Sequence, residues 1–263
     1  MSSDLDRFRA GIEAEFRKSP PTICVIGLSG VGKSSTINAM FGTSKAVSAS
    51  TRGTHRFRAD TFDIESGRVE GLKLACQLRV IDAPGLGEDA GLDETYLKRY
   101  REHLPKCDLA LWVVAARNRA LALDQQYLKA LSKVLPNAVI GINQVDLIDP
   151  LDWDDRINMP SLAQDKTLQE IVVDRGDKLG PLFRNTPKTI AYSARHYWNL
   201  QALFTALIES APPQRRWMFD LVKSFSTRDW LARAKGLNDA QRKALSDRYA
   251  TADRKLPVDA LKR

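Results

Sequence analysis

The 263-residue sequence has few cysteines, few histidines and no long hydrophobic run. Its three cysteines, Cys24, Cys76 and Cys107, lie far apart, which argues against both a disulfide framework and a zinc site. No uncharged apolar stretch reaches the roughly 18 residues that a membrane span needs, and the charged N-terminus does not resemble a secretion signal. We therefore expect a cytoplasmic protein with reduced thiols. His55, His103 and His196 have no ligand spacing, so they predict no metal site of their own.

The net charge of +8 is concentrated in one segment. Residues 212–263 contain 13 of the 40 Lys and Arg but 6 of the 32 Asp and Glu, and so carry +7. A basic segment is typical of proteins that contact nucleic acid or anionic lipid, and equally of a solvated helical face. The same segment contains Trp217, Phe219, Phe225 and Trp230, which we expect to dock on the body of the protein or on a partner.

Short apolar runs alternate with amphipathic stretches along most of the chain. The apolar runs predict strands at 22–27, 78–81, 109–115, 138–143 and 189–192, and the amphipathic stretches predict helices at 4–17, 33–41, 94–103, 124–134, 162–178 and 200–209. This order predicts an α/β fold with a doubly wound, mainly parallel sheet, helices on both faces, and an antiparallel edge strand over 58–65. We divide the chain into an N-terminal helix (1–20), a central domain (21–211) and a basic helical extension (212–263).

A glycine-rich sequence joins the first predicted strand of the sheet to the helix that follows. Gly27-Leu28-Ser29-Gly30-Val31-Gly32-Lys33-Ser34 matches the phosphate-binding pattern G-x-x-x-x-G-K-[ST]. The loop and helix start are predicted to surround the phosphates of a nucleoside triphosphate through Ser29, Gly30, Val31, Gly32, Ser34 and Ser35. Lys33 is predicted to reach the β- and γ-phosphates, and the Ser34 hydroxyl to bind Mg²⁺.

Three further motifs stand at the carboxyl ends of predicted strands. They are Asp82-Ala83-Pro84-Gly85, Asn143-Gln144-Val145-Asp146 and Ser193-Ala194-Arg195. Asp82 is predicted to hold Mg²⁺ through water, and the Gly85 N–H to sense the γ-phosphate. Asp146 can accept the N1–H and exocyclic amine of guanine, and the Ala194 N–H can meet the guanine O6. The set predicts a site for GTP and GDP.

The four motifs are similar to the first, third, fourth and fifth motifs of the translation-factor-like GTPases, in the branch with Era-like, septin-like and immunity-related members. Residues 119–128 and 143–164 extend the resemblance to small bacterial Era- and IRG-like GTPases, often encoded in prophage-like regions. The resemblance implies that Lys33, Thr54 and Gly85 serve the catalytic centre, and that Ser34, Thr54 and Asp82 serve Mg²⁺. Thr51 is the alternative to Thr54. Gln144 departs from the lysine of the family motif.

The resemblance implies slow hydrolysis of GTP to GDP and phosphate. Leu86 stands where Ras-like enzymes have a catalytic glutamine, and Gly30 where potassium-activated members have an asparagine. We expect a partner or second copy to supply a charge in trans. The alternatives are a nucleotide-dependent scaffold with negligible hydrolysis, and an ATPase or kinase.

The expected partners are a second copy through the nucleotide face, and RNA, a ribosome or an anionic membrane through the basic extension. Such contact would make the protein peripheral at the membrane. Recognition of a DNA sequence is not expected. We also expect deletion of residues 212–263 to leave nucleotide affinity nearly intact.

Overall fold

The computed structural model of the chain describes residues 2–41, 56–69, 72–87 and 90–222. The strands are Thr22–Gly27 (β1), Arg58–Val69 (β2), Leu72–Asp82 (β3), Leu109–Ala115 (β4), Asn137–Asn143 (β5), Trp153–Asp154 (β6), Met159–Pro160 (β7) and Lys188–Ala191 (β8). The helices are Ser2–Lys18 (α1), Lys33–Phe41 (α2), Ala90–His103 (α3), Ala122–Leu131 (α4), Leu162–Leu179 (α5), Leu200–Glu209 (α6) and Arg216–Val222 (α7). Each predicted helix and strand corresponds to one of these, with shifted ends in several cases.

Six strands form one sheet in the order β2-β3-β1-β4-β5-β8. All neighbours are parallel except β2, which pairs antiparallel with β3. Every residue of β1 and β4 is buried, because helices cover both faces of a doubly wound sheet. The predicted α/β fold with its antiparallel edge is confirmed. Because these strands are parallel, the carboxyl ends of β1, β3, β5 and β8 lie together at one end of the sheet, where ligands bind in doubly wound sheets.

β3 is considerably longer than the strand predicted at 78–81. Its outer half pairs only with β2, since β1 meets β3 only from Arg79 to Asp82. In this outer part the buried side chains alternate, at Leu74, Cys76 and Leu78, with more exposed ones between them. Such alternation is typical of a strand with one solvated face. The prediction looked for a continuous apolar run and therefore found only the inner end.

The two terminal helices belong to the same hydrophobic core as the sheet. Phe16 of α1 and Phe219 of α7 are each 0% exposed, and the Trp217 ring meets the Phe16 ring edge-on with centroids 5.9 Å apart. Deleting residues 212–263 would remove such core side chains. The expected effect of that deletion on nucleotide affinity stays a prediction, and a cut after Val222 keeps every core residue that the structure describes. Phe225 and Trp230 lie outside the described residues.

The structure gives direct findings on the thiols, on metal sites and on membrane spans. Cys24, Cys76 and Cys107 are buried and form no disulfide. Within the ranges described, no helix is long and apolar enough to cross a bilayer. The same residues contain no group of three or more His, Cys, Asp or Glu side chains placed to hold a metal ion.

Candidate nucleotide-binding site

The glycine-rich loop passes from the end of β1 into the first turn of α2, as predicted. Lys33 is only 7% exposed, and its ammonium donates to the carbonyls of Gly27 and Leu28 at 3.1 and 2.9 Å. These bonds fold the lysine back across the loop. The backbone of Gly30 and Gly32 has φ of +77° and +91°, a region that favours glycine. The loop can therefore curve so that its amides surround an anion at the helix N-terminus.

Ser34 and Asp82 meet beside this loop. The Ser34 hydroxyl donates to Asp82 Oδ2 at 2.7 Å. Asp82 is 1% exposed, and its Oδ1 has no hydrogen-bond partner among the described residues. A hydroxyl and a carboxylate are the hard oxygen ligands that Mg²⁺ prefers, and Mg²⁺ completes its shell with water and phosphate oxygens. The pair therefore fits Mg²⁺, which when bound would neutralise phosphate charge.

The Asp82–Gly85 motif is joined to the phosphate loop by a short parallel bridge between Leu28 and Leu86. Ser29 N–H donates to Leu86 O at 2.9 Å, and Leu86 N–H donates to Gly27 O at 3.3 Å. The Leu86 side chain is 0% exposed and packs in the core. A side chain turned inward in this way does not reach an attacking water. The structure thus explains why a hydrophobic residue fits at this position.

The chain after Leu86 is held by a residue that the sequence did not single out. Gly87 N–H donates to Asp93 Oδ1 at 3.0 Å, and the Tyr127 hydroxyl of α4 donates to Asp93 Oδ2. Burial, followed by the hydrogen bond to Asp93, raises the pKa of Tyr127 to about 12. The hydroxyl therefore stays protonated at neutral pH and remains a donor. Asp93 belongs to no motif, and Tyr127 lies in the stretch 119–128, whose resemblance assigned it no contact.

Asn143 joins the phosphate loop to the last motif. Its Nδ2 donates to Val31 O at 3.0 Å, and its Oδ1 accepts the Ala194 N–H at 3.0 Å. Gln144 adds a second link, because its Nε2 donates to Gly30 O at 3.0 Å from a backbone with φ of +64°. The Ala194 N–H is thus already engaged, so meeting a guanine O6 would require sharing or exchanging this bond. The departure at Gln144 still contacts the loop.

Asp146 lies just after β5, at the carboxyl end of the sheet. It is 8% exposed, and its Oδ1 accepts the Ser193 hydroxyl at 2.7 Å. Ser193 Oγ in turn accepts the His196 N–H at 3.1 Å. The His196 Nε2 lies 3.8 Å from Asp146 Oδ2. Ser193 therefore orients the carboxylate, while Arg195 beside it is exposed.

A small hairpin formed by β6 and β7 packs against His196 and supplies Trp153, an aromatic residue that sequence reasoning did not assign to the site. The Trp153 ring lies 4.7 Å from the His196 ring, centroid to centroid. Asn158 Nδ2 donates to His196 O at 2.9 Å, which fixes the hairpin to the Ser193–Arg195 loop. The only signal was the position of Trp153 shortly after Asp146.

Most of the predicted site residues lie at the carboxyl end of the sheet. These are Ser29, Gly30, Val31, Gly32, Lys33, Ser34 and Ser35 in the loop and helix start, with Asp82, Gly85, Asn143, Gln144, Asp146, Ser193, Ala194 and Arg195. Thr54, its alternative Thr51, and His55 lie outside the described residues. Their predicted places at Mg²⁺ and the γ-phosphate stay predictions. His103 lies at the end of α3, away from Asp146, where it stacks on Phe57.

Comparisons with known proteins agree with the nucleotide site that this geometry indicates. Residues 22–144 match the family model described as 50S ribosome-binding GTPase. The chain is 31% identical over 198 residues to the uncharacterized protein YkfA of Escherichia coli (strain K12), across 73% of this chain and 62% of YkfA. It is 28% identical over 153 residues to GTPase Der of Prosthecochloris aestuarii, across 57% of this chain and 33% of Der. The chain thus spans about three fifths of the length of YkfA and a third of Der.

The fold is also that of a solved structure. Era, crystallised in complex with MgGDPNP and nucleotides 1506–1542 of 16S ribosomal RNA, superposes with a TM-score of 0.55 at 19% identity, covering 73% of this chain and 57% of Era. The likeness to septin-like and immunity-related members stays a prediction. The motifs, the sheet order and these matches together show that the chain has the α/β fold of P-loop GTPases, that residues 22–144 match the 50S ribosome-binding GTPase model, and that its sequence is similar to GTPase Der.

Proposed function

We propose that this chain binds GTP and GDP with Mg²⁺, and hydrolyses GTP slowly to GDP and phosphate as a molecular switch or an assembling GTPase. The observation that carries the proposal is the position of Asn143, bonded at once to Val31 O of the phosphate loop and to the Ala194 N–H. Through these two bonds Asn143 links the phosphate loop to the Ser193–Arg195 loop, whose Ser193 hydroxyl bonds the predicted base-reading carboxylate of Asp146. A nucleotide can then contact both ends together.

Each part of the site has a task in this proposal. Lys33 and the loop amides bind the β- and γ-phosphates, and Ser34 with Asp82 holds Mg²⁺. Asp146, oriented by Ser193, accepts the two guanine N–H groups that adenine does not offer, so a bound adenine would leave the carboxylate with the Ser193 hydroxyl but without a donor from the base. Gly85 supplies a backbone N–H toward the γ-phosphate.

A slow intrinsic rate follows from the inward side chain of Leu86, which is 0% exposed. With no side chain from this position to orient water, we propose that a partner or a second copy at the nucleotide face supplies the missing group in trans. The same observation supports the second candidate function, a nucleotide-dependent scaffold with negligible hydrolysis. The two differ in whether phosphate is released.

The partner remains a matter of proposal. The basic residues of 212–263 suit a polyanionic surface, and the Era structure named above contains 16S ribosomal RNA. We propose RNA or the ribosome as the first partner to test, and an anionic membrane as the second.

The deciding experiment titrates purified protein with fluorescent GTP, GDP and ATP in Mg²⁺, and then measures phosphate release over a series of protein concentrations. Lys33→Ala is the control, because it removes the phosphate contact and leaves the base site intact. The assembling GTPase is supported if binding is selective for guanine nucleotides and the rate of phosphate release per protein molecule rises with protein concentration. Selective binding without release favours the scaffold, and equal binding of ATP would refute the assignment of Asp146 to the base.

A further inference from the structure

Among the described residues, the peptide unit between Pro84 and Gly85 is held through its carbonyl. The Tyr100 hydroxyl of α3 donates to Pro84 O at 2.6 Å. In a planar trans peptide the C=O and the following N–H point in opposite directions, so fixing the Pro84 carbonyl also fixes the direction of the Gly85 N–H. Gly85 lies against the phosphate loop, where a Cβ built on it would stand 2.9 Å from Ser29 Cα.

The Gly85 N–H is itself a buried donor in need of an acceptor. Gly85 is buried, and its N–H makes no hydrogen bond to any residue that the structure describes. Buried backbone donors are almost always paired in folded proteins. An anion beside Ser29 would provide the missing acceptor, and a γ-phosphate is such an anion.

Tyr100 has the properties of a fixed, permanent donor. It is 0% exposed, and burial raises its pKa well above the usual range, so the hydroxyl keeps its proton at any physiological pH. The ring cannot swing away from Pro84 without opening the core around it. A hydrogen bond to a peptide carbonyl also polarises that peptide, which makes its N–H a better donor.

Tyr100 also contacts the chain that follows residues 42–55. The Phe57 ring meets the Tyr100 ring edge-on with centroids 4.9 Å apart, and it stacks on His103 at 4.4 Å. The preceding segment contains Thr54, the predicted switch threonine. One face of α3 therefore contacts both the chain after this predicted switch and the peptide that ends in Gly85.

We infer that Tyr100 is a positioning residue that aims the Gly85 N–H at the γ-phosphate, and so sets how strongly the protein prefers GTP over GDP. The inference rests on the proposed function, since it needs a guanine nucleotide in the site. Tyr100 touches no nucleotide itself. Its effect is confined to the triphosphate, because GDP has no γ-phosphate for Gly85 to contact.

The test is Tyr100→Phe in the full chain, with dissociation constants measured for GDP and for GDPNP, a GTP analogue that is not hydrolysed. Loss of one neutral hydrogen bond is expected to weaken GDPNP about five- to tenfold and to leave GDP within about twofold. The matched control is Tyr192→Phe, another buried tyrosine, whose hydroxyl lies 2.8 Å from Thr36 Oγ1 on α2. Because α2 serves both nucleotides alike, this control should leave the GDPNP/GDP ratio unchanged.

The outcomes separate the inference from the proposed function. If the wild type binds neither nucleotide, the proposed function fails and the inference with it. If the wild type binds both but Tyr100→Phe leaves the ratio unchanged, the inference alone is overturned. Tyr100→Phe keeps the buried ring, and a thermal melt checks that the variant is folded. Phe57→Leu removes the ring contact but keeps the Tyr100 hydroxyl, so it should leave the preference for GDPNP over GDP near the wild-type value. A loss of preference in Phe57→Leu as large as that in Tyr100→Phe would place the effect in the ring contact and overturn the inference.

Discussion

Gly32 lies so close to Asn143 that a Cβ added to the glycine would stand 2.4 Å from Asn143 Nδ2. That amide is the one bonded to Val31 O, so a larger residue would push apart the link between the loop and the base site. We expect Gly32→Ala to weaken GTP and GDP binding at least tenfold, measured by fluorescent nucleotide titration.

Gly30→Ala is the matched control for this prediction. Both glycines have positive φ and therefore suffer similar backbone strain on substitution, but nothing lies within 4 Å of a Cβ at Gly30. Equal losses of affinity in the two variants would mean that backbone strain, and not the contact with Asn143, is responsible.

Asp146→Asn is expected to change the base preference of the site from guanine to xanthine. The asparagine Oδ1 can still accept the Ser193 hydroxyl, while Nδ2 replaces the second carboxylate oxygen with a donor. Xanthine carries an acceptor oxygen where guanine carries its amine. GTP affinity should fall more than tenfold and XTP affinity should rise, which competition of both against a fluorescent guanine nucleotide would measure. Unchanged GTP affinity would exclude Asp146 from the base site.

Leu86→Gln should not accelerate hydrolysis. The backbone at Leu86 is bonded to the phosphate loop and its side chain is buried, so a glutamine there would bury an amide instead of reaching water. We expect a loss of unfolding free energy of about 1–3 kcal/mol and no gain in phosphate release. Leu86→Met, which preserves volume and apolarity, should be close to wild type in both. Faster turnover in Leu86→Gln would show that the side chain can turn outward.

Asp124 makes stability depend on pH. It is 1% exposed, accepts the Trp112 Nε1–H at 3.0 Å, and burial raises its pKa to about 6. A carboxyl with a raised pKa in the folded state stabilises that state below the unfolded pKa of about 4, and this contribution is lost as the pH rises through 6. Asp124→Asn removes the titration and keeps an oxygen for Trp112.

Denaturant unfolding of the wild type and Asp124→Asn at several pH values between 4.5 and 7.5 tests this. The variant should gain stability relative to the wild type as the pH rises, by an amount on the order of 2 kcal/mol. A constant difference across the range would mean that the carboxyl does not titrate there.

Two truncations separate the core from the basic segment. Residues 223–263 hold 11 Lys and Arg and 5 Asp, and removing them should leave the melting temperature and GDP affinity near the full-length values. The same truncation should abolish binding to 16S ribosomal RNA, or to anionic vesicles if lipid is the partner. Removal of residues 212–263 should in addition lower the melting temperature, because it takes Met218 and Phe219 from the core. RNA and vesicle binding that survive the shorter truncation would place the partner site in the globular domain.

The sequence predicted the elements that carry continuous apolar runs or helical periodicity, together with the motifs at their ends. β1, β4 and α6 have their predicted bounds, because their burial follows from their own residues. The outer half of β3 was missed because its burial alternates and depends on pairing with β2.

The contacts that hold the motifs in place were harder to predict. Tyr100 and Asp93 act through single bonds to backbone atoms of Pro84 and Gly87, and such bonds leave no pattern in the sequence. Helical spacing shows that Tyr100 faces the core, but it does not show which carbonyl lies opposite its hydroxyl. Motifs indicated which residues meet the nucleotide, whereas only the three-dimensional packing shows what aims them.

Arg215 connects parts of the chain that are synthesised far apart in time. Its guanidinium donates to Ser19 O at 2.6 Å and to Asp108 Oδ1 at 3.1 Å, and Asp108 Oδ2 accepts the N–H of Thr22 at the start of β1. Contacts of such long sequence separation slow folding, because each requires the closure of a long loop. On the ribosome, the bonds of Arg215 to Ser19 and Asp108 cannot form until almost the whole domain has been translated, and the Trp217 ring cannot cover Phe16 before then.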